Sequence, residues 1–258
     1  MYTSIQIENF YFNLEKISID EINNYKNKFN EIYLKPLESY LLDSQNQIFS
    51  ADKIQEDFFP QIDADIFLSH AHNDEDDIIK LAIYLEENFK IKVFVDSCIW
   101  GNVYQLLKSI NDKYCKIDED LYSYQGSIYA STNIYMILNT ALHNMIDRTE
   151  IFLFLGTKES IKINDIIEGT KESVRSPWIY SELMFAKQVK RQSKYPFIGL
   201  ESFSESKTIM DSMPTFNYNK PDLDYCISSD TFYKWLKNAK NKEVHDIIRE
   251  FYHYLESN

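Results

Sequence analysis

Four short runs of consecutive apolar residues stand out along the chain, at 65–69, 91–95, Ile151–Leu155 and 195–200. Their apolar positions are adjacent rather than alternating, as in strands covered on both faces of a parallel sheet. Helical spacing fills the intervals at Glu75–Phe89, 132–146 and 177–191. Strand and helix in alternation predict a doubly wound α/β domain of the flavodoxin-like kind over 62–202. Before it, Ser18-Ile19-Asp20-Glu21 has the form of a capping box, and Ile22, Tyr25, Phe29, Ile32, Tyr33, Leu37, Tyr40 and Leu41 follow at helical spacing. This predicts an N-terminal helical extension over 1–61, kinked near Pro36. Beyond an irregular stretch holding Pro214 and Pro221, helical patterns at 230–239 and 243–255 predict a C-terminal helical addition over 203–258. An insertion is expected at about 101–130. Its aromatic residues, with Trp100 at its edge, offer a stacking surface for a heteroaromatic ring.

The expected helix at 177–191 contains one residue that breaks its own pattern. Ser176 suits an N-cap and Pro177 the first helical position. At about 100° per residue, Trp178, Ile179, Leu183, Ala186 and Val189 share an arc, and Glu182 falls inside it. A charge among apolar neighbours costs several kcal/mol, on the order of magnitude of polar-group transfer, unless it is partnered. Glu182 is therefore either half of a buried pair or a carboxylate facing a cleft.

Composition narrows the choice. The 258 residues are 44% apolar, enough for a sizeable core, and carry a net charge of −13, which argues against a nucleic-acid groove. The apolar runs are far shorter than the ~20 residues that span a bilayer, and the first twelve residues lack a signal-peptide pattern. No membrane partner and a cytoplasmic location are expected. Three cysteines, Cys98, Cys115 and Cys226, are widely spaced and free of any CxxC pattern, so neither a disulfide framework nor a thiolate zinc site is expected.

Parallel sheets bind ligands beyond the carboxyl ends of their strands. The expected ends here are polar: Ser69 and His70, then Asp96 and Ser97, then Gly156 and Thr157. A loop of about 19 residues then leads to Ser176, longer than most loops without a role.

These features together resemble the Toll/interleukin-1 receptor (TIR) domain family, in particular bacterial NAD-cleaving members of anti-phage systems such as Thoeris. Asp65-Ile66-Phe67-Leu68-Ser69-His70 looks like the opening strand of that family, and Lys92-Val93-Phe94-Val95-Asp96 like its second strand and the start of its BB loop. Asp147 to Leu155 is similar to the approach and third strand, and Trp178 to Leu183 to the W-x-x-x-E-L helix. The resemblance spans roughly 62–202. It implies that Glu182 is catalytic, cleaving the nicotinamide–ribose bond of NAD+, which is a substrate, with no cofactor or metal required. It makes Ser69, His70, Asp96, Ser97, Trp100 and Trp178 candidate substrate contacts. It also implies self-association through the TIR domain and a downstream effector that senses the product.

Two alternatives stand beside this reading. One is a TIR module that only binds other TIR domains, although such an adaptor has no chemical reason to keep Glu182. The other is a zinc hydrolase of the metallo-β-lactamase kind, because Ser69-His70-Ala71-His72-Asn73-Asp74 contains H-x-H-x-D. Glu75 stands where that motif has its final His, and five glycines are few for so loop-rich a fold.

Overall fold

A computed structural model describes residues 3–14, 16–30, 36–43, 45, 48–58, 62–119, 121–161, 172–189, 218–239 and 242–257. The chain divides into two compact units, one formed by 1–18, 63–95 and 146–258, the other by 19–62 and 96–145.

The first unit is built on five parallel strands: β1 (Thr3–Glu8), β2 (Ile66–Ser69), β3 (Val93–Val95), β4 (Ile151–Leu155) and β5 (Tyr225–Ser228). Their order across the sheet is β5-β1-β4-β2-β3. This is the doubly wound α/β architecture expected from the apolar runs. Three expected strands appear nearly as read, whereas 195–200 lies outside the described residues.

Two strands of the sheet depart from expectation. β1 pairs in parallel with β4 on one side and β5 on the other, so the start of the chain lies inside the sheet. The N-terminal part is thus not a purely helical extension. Its sequence alternates, with Ile5 and Ile7 fully buried on one face and Ser4, Gln6 and Glu8 on the other. Buried Ser4 is satisfied by Asp224, whose carboxylate accepts from the Ser4 amide at 2.8 Å and its hydroxyl at 2.7 Å. β5 likewise shows that 203–258 is more than a helical addition. The expected boundaries at 62 and 202 give way to a sheet unit assembled from three separate stretches of chain.

Helices of this unit include Glu75–Phe89, Pro177–Gln188, Ser229–Asn238 and Val244–Ser257. We number the helices in chain order: α1 (Ile19–Asn30), α2 (Ala51–Phe58), α3 (Glu75–Phe89), α4 (Ser97–Ile110), α5 (Tyr124–Arg148), α6 (Pro177–Gln188), α7 (Ser229–Asn238) and α8 (Val244–Ser257). The chain steps from β2 to β3 in one direction and from β4 to β5 in the other, so right-handed crossovers place α3 and α6 on opposite faces. α7 and α8 are held by an apolar cluster in which Trp235 stacks on Phe251 with ring centroids 4.0 Å apart, and Phe232 packs against both. Tyr252 in the middle of α8 donates to Glu150 at 3.0 Å, fastening these helices to the approach to β4.

The second unit contains α1, α2, α4 and most of α5. α1 and α2 pack on α4, burying Ile22, Tyr25, Ile54, Val103 and Leu106. The helix expected to continue from 18 to 41 is described as α1 through Asn30. A 3-10 turn, Leu37–Tyr40, follows Pro36, which lacks the amide donor that helix continuation needs. The insertion expected at about 101–130 contains regular structure. It holds most of α4, a π turn at Asn111–Cys115, a small hairpin and the first two turns of α5.

Candidate functional site

In this sheet β2 and β4 are neighbours whose chains leave in opposite directions, the arrangement that opens a crevice at the carboxyl ends of parallel strands. The loops beyond these two strands are tied together. Thr157 donates its hydroxyl to Asp74 at 2.5 Å, and Asn73 donates its amide to Glu159 at 3.1 Å. Thr157 is itself fixed by Ser160, whose hydroxyl accepts from the Thr157 amide at 2.8 Å and donates to the Leu155 carbonyl at 3.1 Å.

α6 begins as its sequence dictates. The Ser176 hydroxyl accepts from the Ile179 amide at 3.3 Å, and Pro177 takes the first turn, where a missing amide hydrogen costs nothing. Ile179, Glu182, Leu183 and Ala186 form the buried stripe, with Trp178 half-buried one turn before Glu182. Glu182 is 1% exposed, and its Oε2 accepts a hydrogen bond of 2.7 Å from the Ser69 hydroxyl at the end of β2. The structure therefore brings Ser69 and Glu182 into direct contact across 113 positions of sequence. Removing the hydroxyl with Ser69→Ala is expected to destabilise the fold by about 1–3 kcal/mol, the range for depriving a buried group of a partner. Urea denaturation of the two proteins measures it, and an unchanged midpoint would mean that this bond adds nothing to folding.

The remaining candidates are distributed differently. His70 is buried, with Nδ1 3.3 Å from the Leu68 carbonyl oxygen, the bond of an ordinary strand-end histidine. Asp96 is buried and precedes α4, whose first residue is Ser97, and both fall within the second unit. Trp100 lies in α4 with its side chain outside the description. Comparison with protein-family models, curated proteins and solved structures finds no match. The chemistry must be read from the residues themselves.

Among the described residues, no group of three or more His, Cys, Asp or Glu side chains is placed to hold a metal ion. The H-x-H-x-D stretch runs through a 3-10 turn, His72–Asp74, and its Asp74 is engaged by Thr157. Burial pushes the Asp74 carboxyl above the usual carboxylate range, against the opposing effect of the Thr157 hydrogen bond. A carboxyl with a raised folded-state pKa supports folding below its unfolded value, and that support fades as pH rises through the folded value. Asp74→Asn is accordingly expected to hold or raise the melting temperature at pH 7 and to flatten its rise on acidification through the carboxylate range. A lower melting temperature at pH 7 would show that the ionised form is favoured there.

Sequence reasoning missed a second polar group on the α6 face of the sheet. Register pairs Ser69 with Phe154 and Phe154 with Gln6, so Gln6 shares a row with Ser69 two strands away. Gln6 accepts from the Lys220 ammonium at 2.6 Å, and Lys220 is paired with Glu172 at 3.1 Å. The polar residues alternating with Ile5 and Ile7 were the only signal in the sequence.

Proposed function

We propose that this chain is a TIR-type NAD+ nucleosidase that breaks the nicotinamide–ribose bond, depleting NAD+ or making an ADP-ribose-derived signal in anti-phage defence. The observation that carries the proposal is the Glu182 carboxylate, buried on α6 and bonded to Ser69 at the carboxyl end of β2, beside the crevice where such sheets take ligands.

The chemistry suits a fixed carboxylate. As the C–N bond breaks, its electron pair leaves with nicotinamide and neutralises the pyridinium, while positive charge builds on the ribose. A carboxylate beside that ring stabilises the developing oxocarbenium ion, and the Ser69 hydroxyl fixes the orientation of the carboxylate. Water then attacks the anomeric carbon and loses a proton to give ADP-ribose, or a nucleophile within the same molecule closes a cyclic product. The wider TIR reading adds that copies of the chain associate to complete the site and that a downstream effector senses the product.

Incubation of the purified protein with NAD+ in the presence of a chelator, with products identified by mass spectrometry, tests this assignment. Nicotinamide together with ADP-ribose or an isomer of cyclic ADP-ribose is expected. Turnover that disappears with the chelator and returns with zinc would favour the metallohydrolase alternative.

A further inference from the structure

The polar group around Gln6 is built differently from an ordinary surface ion pair. Gln6 is 2% exposed, and the Lys220 side chain is 7% exposed. Because the ammonium can only donate, it fixes the oxygen of the Gln6 amide toward itself, which turns Nε2 the other way. That Nε2 is buried and, among the described residues, has no hydrogen-bond partner. It lies 3.7 Å from where a side chain on Gly156 would begin, so it points along the end of β4. A buried amide donor left without an acceptor is costly in a folded protein, and such groups call for an explanation.

We infer that Gln6 and Lys220 form a phosphoryl-binding subsite that takes the diphosphate of a dinucleotide whose glycosidic bond meets Glu182, an inference that rests on the nucleosidase reading. Three observations converge on it. Among the described residues, Lys220 has Glu172 as its one acceptor of high charge density and Gln6 Nε2 has none, and a phosphate oxygen supplies one for each. Gln6 shares its row with Ser69 across β4, so the two poles are separated by about two strand spacings, roughly 10 Å. That distance is comparable with the reach of a ribose 5′-diphosphate from its anomeric carbon. The rim of the neighbourhood reaches solvent, because Glu8 and Cys226 on the same side of the sheet are exposed and Glu172 is half-buried. On a chain of net charge −13, a lysine seated at a strand-end crevice is the local charge that an anion needs.

Glu172 has a defined part in this arrangement. It holds Lys220 while the site is empty and is displaced toward water when an anion binds, so it competes with the ligand. Calorimetric titration of ADP-ribose and of inorganic pyrophosphate into the full chain tests the idea, using Lys220→Met and Glu172→Gln. ADP-ribose affinity is expected to fall about tenfold or more in Lys220→Met and to rise severalfold in Glu172→Gln, in line with the strength of charge-assisted hydrogen bonds. Pyrophosphate should follow the same order with weaker affinity. Unchanged or weaker ADP-ribose binding in Glu172→Gln overturns the proposal, even if Lys220→Met fails to fold. Pyrophosphate binding as tight as ADP-ribose would overturn the dinucleotide assignment in favour of a site for free inorganic anions. The two readings separate cleanly. NAD+ cleavage with a KM indifferent to both substitutions refutes the subsite alone, whereas the expected binding pattern without any NAD+ cleavage refutes the nucleosidase reading alone.

Discussion

Glu182→Gln is expected to lower nicotinamide release by at least about 10²-fold while leaving the protein folded, in the range seen when one preorganised electrostatic contact to a transition state is lost. The amide keeps the shape of the side chain and can still accept from the Ser69 hydroxyl, so the packing of α6 is preserved. What disappears is the negative charge that, in the proposed reaction, meets the developing ribose cation. If Glu182 served instead as half of a buried ion pair, the same change would leave a charge unpaired and destabilise the protein by roughly 3–5 kcal/mol. Thermal denaturation of the variant therefore separates the two roles: an unchanged melting temperature with lost turnover supports the catalytic role, and a sharply lowered melting temperature supports the structural one.

The second large effect concerns β1. Ile5→Asp places a carboxylate on a fully buried position of a strand flanked on both sides, and a loss of more than about 4 kcal/mol is expected. Ile19→Asp, at a position 76% exposed, is the matched control and should change stability by less than about 0.5 kcal/mol. Tryptophan fluorescence during urea denaturation, with Trp100 of the second unit replaced by Phe in both proteins, follows the sheet unit through Trp178 and Trp235. An Ile5→Asp protein with an unaltered midpoint would contradict the placement of β1 within the sheet.

The contrast between β4 and β1 explains what the sequence disclosed. β4 is Ile-Phe-Leu-Phe-Leu, apolar on both faces, and announces a buried strand without reference to any other part of the chain. α3 was equally legible, since its apolar spacing runs unbroken from Glu75 to Phe89 and is buried throughout its inner face. β1 is buried too, but its polar residues Ser4 and Gln6 meet Asp224 and Lys220, more than 200 positions away. Local pattern could not reveal partners so distant. β5 was hidden for a related reason: its residues alternate between half-buried and exposed, and only pairing with β1 marks them as part of the sheet.

The candidate site divides in the same way. Glu182 announced itself as a charge within an apolar arc, and Ser69 as a polar residue ending an apolar strand; the fold joins them at 2.7 Å. Gln6, Glu172 and Lys220 come from three separate stretches of chain; the register of the sheet places Gln6 on the face that bears Glu182, and a hydrogen bond and an ion pair bring Lys220 and Glu172 to it.

Release of nicotinamide from NAD+, followed across a series of protein concentrations with sedimentation on the same samples, tests the central claim most directly. Cleavage that depends on Glu182 and rises in specific activity as copies associate is the predicted result. NAD+ recovered intact at every concentration, from protein shown to be folded and associated, would contradict it.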